Sequence, residues 1–164
     1  MTNSLTENNA GKPRKLRRWL PWLIVFVLFV LWWGVPTGRK IYYDSMVREL
    51  CAKDGGIKVY ETVTLPAEKF DKYGNVRIPR KEKMNSTDEY YYESSIHYFH
   101  KAHPELWRLH FQIFRRLDNK LLGEATSYAR RGGDPISPMH DSSFGCPVQA
   151  DISDLEKQMF IVKN

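Results

Sequence analysis

The segment WLPWLIVFVLFVLWWGV, residues 19–35, sets the expected topology, because its 17 residues include no charged side chain in a chain whose mean hydropathy is -0.52. At about 1.5 Å of rise per residue, a helix of this length spans roughly 26 Å, near the lower limit for crossing a bilayer. Its tryptophans stand at the two ends, where amphipathic rings prefer the headgroup level; they are Trp19, Trp22, Trp32 and Trp33. The segment predicts a transmembrane helix over residues 19–36.

Two other uses of an N-terminal apolar segment fit this sequence less well. A cleaved signal peptide has a shorter apolar core followed by small residues, whereas this core is long and ends in Trp32-Trp33. A lipoprotein signal has small residues before its cysteine, and Cys51 instead follows Arg48-Glu49-Leu50. We therefore expect an uncleaved anchor.

The charges that flank the apolar segment predict its orientation. Five of the 25 Lys and Arg residues lie before residue 19, whereas Arg39 and Lys40 are the basic residues close to the other side. The positive-inside rule then makes residues 1–18 a cytoplasmic tail and residues 37–164 an extracytoplasmic domain. For a bacterial host with two membranes, which we assume, the location is the inner membrane and the domain is periplasmic.

The net charge of +6 belongs mostly to that tail. The tail carries one acidic residue, Glu7, so the rest of the chain holds 20 basic and 18 acidic side chains. The tail is attracted to anionic lipid, and the nearly balanced domain lacks the excess of basic residues that nucleic-acid binding requires. We expect the lipid bilayer as a partner and no nucleic acid.

The region after the apolar segment predicts a helix and then a strand. Apolar residues recur near helical spacing over 38–52, and Gly55-Gly56 is a helix stop signal. This membrane-proximal helix is either continuous with the anchor or separate from it. The next run, IKVYETVTL at 57–65, alternates in the manner of a half-buried strand, with Glu61 as the exception on the apolar side.

The middle of the chain predicts paired strands. YYYESSIHYFHKA, residues 90–102, has the aromatic content of a strand. ELWRLHFQIFRR, residues 105–116, fits a strand or a helix face, and we prefer a β-hairpin across 106–130 because Asp118-Asn119-Lys120 is a turn signal.

The remaining segments are rich in turn residues. Residues 66–89 predict a long loop with a short strand at 76–78, and residues 132–150 predict an irregular loop. Near the C-terminus, Ser153 is a candidate cap for a short helix, with a closing strand as the alternative. The sum is an α+β fold, with an N-terminal transmembrane helix followed by a small antiparallel β-sheet domain and a membrane-proximal helix.

Several short motifs together resemble a pattern in small bacterial single-pass membrane-anchored proteins, a group without an assigned activity. The motifs are Cys51-Ala52-Lys53-Asp54-Gly55-Gly56 with Val59-Tyr60-Glu61-Thr62, Leu122-Gly123-Glu124, Ser127-Tyr128, Arg131-Gly132-Gly133-Asp134, Ser142-Ser143-Phe144 and Cys146-Pro147. The resemblance covers most of residues 50–150. It implies a shared domain and no particular chemistry.

The two cysteines, Cys51 and Cys146, predict a disulfide. An even pair in an oxidising compartment is usually bonded. Joining residues this far apart removes up to about 4.7 kcal/mol of unfolded-chain entropy in the simplest treatment. A catalytic thiol is the alternative, and it needs a base such as His140 close to Cys146.

Three histidines, His97, His100 and His103, have the spacing H-x-x-H-x-x-H and could in principle hold Zn²⁺. On a strand His97 and His100 point to opposite faces, and on a helix His97 and His103 splay apart. We therefore expect partly exposed histidines beside aromatic rings, with no metal and no cofactor.

Two further groups of residues have side chains that occur in functional sites. The residue types of a hydrolase triad occur together in Ser137, His140, Asp141, Ser142 and Ser143. Adjacent His and Asp side chains orient one another poorly and no G-x-S-x-G elbow is present, so turn formation explains these residues better. The aromatic run offers candidate surface-binding residues, namely Tyr90, Tyr92 and Tyr98.

These observations predict a non-enzymatic accessory or interaction protein with a protein partner at the membrane. The alternatives are a small envelope enzyme that uses a metal or a Cys-His pair, and a ligand-binding sensor domain. The sensor reading leaves a short cytoplasmic tail as the sole output element.

Overall fold

The computed structural model of the chain describes residues 14–135, 140–147 and 150–163. A helix, α1, runs over Arg14–Asp54 without a break, so the predicted anchor and the membrane-proximal helix form one element. It is the one helix in these ranges that is long and apolar enough to cross a membrane, with a mean hydropathy of 2.0 over its most apolar window. Every residue of 19–35 is exposed.

An antiparallel sheet follows α1 and confirms the predicted hairpin. Its strands are β1 (Gly56–Val59), β3 (Tyr90–His100), β4 (Glu105–Arg115), β5 (Lys120–Arg131) and β6 (Ser143–Cys146). The order is β1-β5-β4-β3, and β6 pairs with β5 along the edge that β1 also uses. The two short strands lie end to end there, because β1 pairs with residues 123–126 and β6 with residues 128–131.

A second, two-stranded sheet departs from the antiparallel expectation. Here β2 (Val63–Leu65) pairs in parallel with β7 (Phe160–Val162). The single strand predicted over 57–65 is therefore wrong, since it splits into β1 and β2. The split occurs where the backbone N–H groups of Tyr60 and Glu61 both donate to the carbonyl of Leu122, after which the chain leaves β5.

Each face of the larger sheet is covered by a different helix. The C-terminal helix α2 (Ile152–Met159) packs over Gly123 and Ala125, in a core that also contains Leu122 and Ile113. On the opposite face, α1 packs through Val47 against Leu106 and Tyr128. The strand side chains alternate between these two helices.

Three smaller expectations need correction. The cap of α2 is Asp151, whose carboxylate accepts the N–H of Asp154 at 2.8 Å, so Ser153 lies inside the helix. The loop predicted over 132–150 contains β6. The strand predicted at 76–78 is reduced to an isolated bridge between Phe70 and Val76.

Candidate functional site

The last eighteen or so residues of α1 lie antiparallel to β5 and dock on it by a series of contacts. Lys40 Nζ lies 2.6 Å from Asp134 Oδ1, and Asp44 Oδ1 lies 2.5 Å from Arg130 Nε. Further along the helix, Cys51 reaches Cys146, which pairs with Tyr128. Residues of α1 that lie closer to Pro36 therefore contact residues that come later along β5 or just after it. We call the end of the sheet next to Lys40 the proximal end, and the β4–β5 turn at 116–119 the distal end.

Arg130 is the most enclosed polar side chain of this junction, with 1% of its surface exposed. Besides its bond to Asp44, its guanidinium donates to the carbonyls of Gly132 and Ser142. One side chain thus joins α1, β5 and the segment that leads into β6. A buried arginine is tolerated when its donors are satisfied and its charge is paired.

Asp134 completes the junction as a second ion pair. The Lys40 ammonium and the Ser142 N–H both donate to its carboxylate and hold its pKa well below the usual range. Gly133 sits beside Lys40 with φ of 91°, a left-handed conformation that favours glycine. The glycine pair of the R-G-G-D motif therefore has a backbone role at the proximal end.

Cys51 and Cys146 lie at disulfide distance, with sulfurs 2.26 Å and Cα atoms 6.1 Å apart. Both side chains pack on the apolar cluster between α1 and the sheet. The pair would link the last turn of α1 to the end of β6. Its position fits the predicted structural role.

An exposed apolar row occupies the proximal part of the α2 face, beyond the reach of α2. Ile96 and Tyr98 on β3 are 57% and 42% exposed, and they stand opposite half-buried Leu109 and Trp107 on β4. We call these four side chains the proximal row. β3 is also the edge strand of the sheet, and edge strands offer backbone hydrogen-bonding groups to partners.

Of the three candidate tyrosines, Tyr98 is the exposed one. Tyr90 packs edge-on against Phe160, and Tyr92 packs similarly against Phe111. Both contribute to the core under α2 as partly buried rings. The surface-binding hypothesis therefore rests on Tyr98 and its neighbours in the proximal row.

The three histidines each have a separate neighbour. His97 contacts the Phe99 ring, and His100 lies 5.2 Å from the Tyr43 ring while its Nδ1 is 2.7 Å from the Pro104 carbonyl. His103 Nε2 accepts the N–H of Gly133 at 3.0 Å. Among the described residues, no group of three or more His, Cys, Asp or Glu side chains is placed to hold a metal ion.

The residues with hydrolase chemistry lie at the start of β6 or beside it. Ser137 lies outside the described residues, and His140 and Asp141 are exposed. Ser142 has a structural task, because its backbone bonds Asp134 and Arg130. Junction contacts thus account for Ser142, and Ser143 is the first residue of β6, opposite Arg131.

A polar cluster at the distal half of the α1 face was not anticipated from sequence. Glu124 accepts from the Tyr60 hydroxyl at 2.8 Å and lies 3.1 Å from His110 Nε2 and 3.3 Å from Lys58 Nζ. Burial opposes ionisation of Glu124, but the hydrogen bonds from Tyr60 and His110 outweigh it and hold its pKa below the usual value. The signal in the sequence was that Lys58 and Tyr60 fall on the same side of one predicted strand. A carboxylate on a paired strand, here Glu124, could then face them.

Tyr128 lies between this polar cluster and the α1 junction. Its hydroxyl donates to Asp54 at 2.7 Å, and burial together with that bond raises its pKa to about 12. It is therefore a neutral donor rather than a base at ordinary pH. The described geometry offers a docked helix, two ion pairs of which one contains the buried Arg130, and an exposed apolar row, which suit binding. No family model matches the chain, and neither the curated proteins nor the solved structures include a significant match to it.

Proposed function

We propose that the chain is a single-pass membrane protein whose extracytoplasmic domain is a non-enzymatic accessory subunit for a partner protein beside the bilayer. The observation that carries this proposal is the continuity of α1. One helix passes from the exposed apolar residues of 19–35 to the ion-paired junction at Lys40 and Asp44. A domain joined in this way is held at a fixed height above its anchor.

Burial in a bilayer explains why so many large apolar side chains of α1 are exposed. A fully exposed apolar stretch of this length is unfavourable in water, and lipid would remove that cost. The basic residues before Trp19 favour a cytoplasmic N-terminus. The cysteine pair is consistent with an oxidising compartment on the other side.

The proximal row is the best-supported surface for the protein partner. Exposed aromatic and aliphatic side chains on a rigid sheet lose little conformational entropy on binding. The adjoining edge of β3 is covered at its start, where the Tyr92 N–H donates to the Pro79 carbonyl. From Ser95 to Phe99 the strand is exposed, so a partner strand or loop has access to the row and to the edge.

The test is site-specific photo-crosslinking in native membranes with the full chain. A photo-reactive residue at Ile96 should give one discrete protein adduct, and the same residue at Leu117, which is 93% exposed at the distal end, should not. The Ile96 adduct should disappear when Tyr98→Asp is added, while the chain remains in the membrane fraction. Equal adducts at the two positions, or none at Ile96, would remove support for the row.

A further inference from the structure

We propose that the β3–β4 turn, residues 101–104, is a second membrane contact that sits among anionic lipid headgroups. The inference rests on the proposed anchoring by α1 and names the part of the domain that meets the lipid. It concerns the tip of the hairpin, whereas the proximal row faces sideways from the sheet.

The height follows from the contacts of Lys40. This residue lies four positions after Pro36, the last residue of the predicted transmembrane helix, so it stands about 6 Å above the end of that helix at 1.5 Å per residue. A Cβ on Gly133 would lie 3.5 Å from the Lys40 Cβ, and the Gly133 N–H donates to His103 at 3.0 Å. The turn is therefore level with Lys40. A headgroup layer is about 5–8 Å thick on each side of the hydrocarbon core, so that level lies within it.

The direction of the strands brings the tip to this level. Both β3 and β5 run toward the proximal end, since each is antiparallel to β4. His100 is the last residue of β3, and its ring contacts the Tyr43 ring at a tilt. The turn continues from there toward Lys40. The distal turn at 116–119 lies at the other end of the same two strands.

The side chains at the tip have the chemistry of a membrane interface. Lys101, Ala102 and His103 are exposed, and Lys101 Nζ lies 5.8 Å from the centre of the Tyr98 ring. Phe99, on β3, is 47% exposed although its ring stacks against the Tyr128 ring, with centroids 6.1 Å apart. Aromatic rings and lysines are favoured at headgroup level, and a lysine near an anionic surface contributes about 1 kcal/mol of attraction.

The described acidic side chains near the tip are Asp134, Glu105 and Asp141, of which only Asp141 is exposed. Asp134 is neutralised by Lys40, and Glu105 is half-buried at the start of β4. Arg39, which is exposed on α1, adds a second cation at almost the same height as Lys101. The tip therefore presents positive charge and aromatic surface toward the plane of the membrane, which is why a lipid headgroup is the occupant inferred.

Spin labels on the full chain in phosphatidylcholine and phosphatidylglycerol nanodiscs test this directly. Single cysteines are placed at Ala102 in the turn, at Leu117 in the distal turn and at Val27 in the apolar segment, under non-reducing conditions. Collision with a water-soluble nickel chelate should be several-fold lower at Ala102 than at Leu117. Val27 should be accessible to oxygen and shielded from the chelate.

The three labels distinguish a failure of the second membrane contact from a failure of the proposed anchor. If Val27 lies in hydrocarbon and Ala102 is as open to the chelate as Leu117, the anchor stands and the second contact is wrong. If Val27 is open to the chelate, the anchor itself fails. The Lys101→Glu variant should raise the collision rate at Ala102 in discs with phosphatidylglycerol and change it little in pure phosphatidylcholine. An unchanged rate in both would overturn the role given to anionic lipid.

Discussion

Glu156 is a buried carboxyl group whose ionisation opposes folding. It lies on α2 with 7% of its surface exposed, and burial raises its pKa to about 7, with further contributions from Asp151 and Asp71. A hydrogen bond with the Ile78 backbone lowers the pKa of Glu156, but the effect of burial is larger. A buried carboxyl with two acidic neighbours keeps its proton far above the usual range.

The raised pKa of Glu156 predicts stability that falls as pH increases. Between about pH 4.5 and pH 7 the unfolded chain has released this proton while the folded chain retains it, so the free energy of unfolding drops by up to about 1.4 kcal/mol per pH unit. Above about pH 7 both states are ionised and this contribution becomes constant. The Glu156→Gln variant should lose this slope and be more stable than the parent chain near pH 8.

Urea unfolding of the full chain in detergent across this pH range measures the effect. Glu82→Gln is the matched control, because the Glu82 side chain is 70% exposed and its substitution should leave the slope unchanged. A Glu156→Gln chain with the parental slope would show that Glu156 is ionised in the folded state. The measurement uses urea rather than guanidinium so that surface ion pairs are not screened.

At the scale of elements, the junction between α1 and the sheet combines a small apolar cluster with charged contacts. Val47, Leu106 and Tyr128 form the buried part, and Arg130 with Asp44 forms the charged part. Apolar packing supplies most of the free energy at such contacts. Displacing the half-buried Asp44 carboxylate would leave the buried Arg130 guanidinium without its counter-charge, which is costly. The register of α1 on β5 is therefore well defined.

The cysteine pair closes this junction, and its removal should cost stability. The bond spans a sequence separation of 95 residues, and loss of a long-range disulfide typically lowers the free energy of unfolding by about 2–4 kcal/mol. We expect the Cys51→Ser, Cys146→Ser chain to unfold at correspondingly lower urea concentration. Reductant should destabilise the parent chain to the same degree and leave the double variant unaffected.

Intact mass and alkylation of the chain taken from membranes check the bond itself. The parent chain should resist alkylation until reductant is added and should then gain two hydrogens. Two thiols that are alkylated without reductant would contradict the pairing. Equal stability of the parent and the double variant would show that the junction holds without it.

Long elements with a strong pattern were predictable from the sequence. The hairpin of β4 and β5 was located because a turn signal separates two long segments, although the periodicity of residues 105–116 also fitted a helix face. The strand β3 was located by its aromatic content. The four-residue strand β6 has too few residues for a pattern, and pairing with β5 defines it. The break between β1 and β2 depends on the distant Leu122 carbonyl, which no local pattern reports.

The site was less predictable than the fold. Pairing of the cysteines followed from their number and compartment, but composition rules place arginine at the surface and so missed Arg130. Tyr90 and Tyr92 could not be distinguished from Tyr98 by sequence, since all three share one face of the same strand. Tyr90 is covered by Phe160 of β7, Tyr92 packs on Phe111 of β4, and Tyr98 lies beyond that core. That is a property of the tertiary structure.

For the whole molecule, the continuous helix makes the height and rotation of the domain depend on the length of α1. In the proposed membrane arrangement the apolar segment sets the depth of the anchor, and Lys40 makes the first docking contact soon after it. The proposed partner contact at the proximal row and the proposed lipid contact at the β3–β4 turn both require the present height. A change in helix length between the anchor and Lys40 should therefore affect both without disturbing the domain.

A seven-residue polar helical insert between Thr37 and Gly38 tests this dependence. It should raise the domain by about 10.5 Å and rotate it by only about 20°, because seven residues are close to two full turns. The urea midpoint of the domain should stay at the parental value, because a Cβ on Gly38 would touch nothing and the docking contacts begin beyond it.

Chelate collision at an Ala102 label should rise to the level seen at Leu117, and the Ile96 photo-adduct should disappear. The same insert placed after Asn9 is the matched control and should preserve both signals. Retention of the adduct and of the shielded label after the Thr37 insert would show that the domain moves independently of its anchor, and a helix that transmits no height cannot position an accessory subunit.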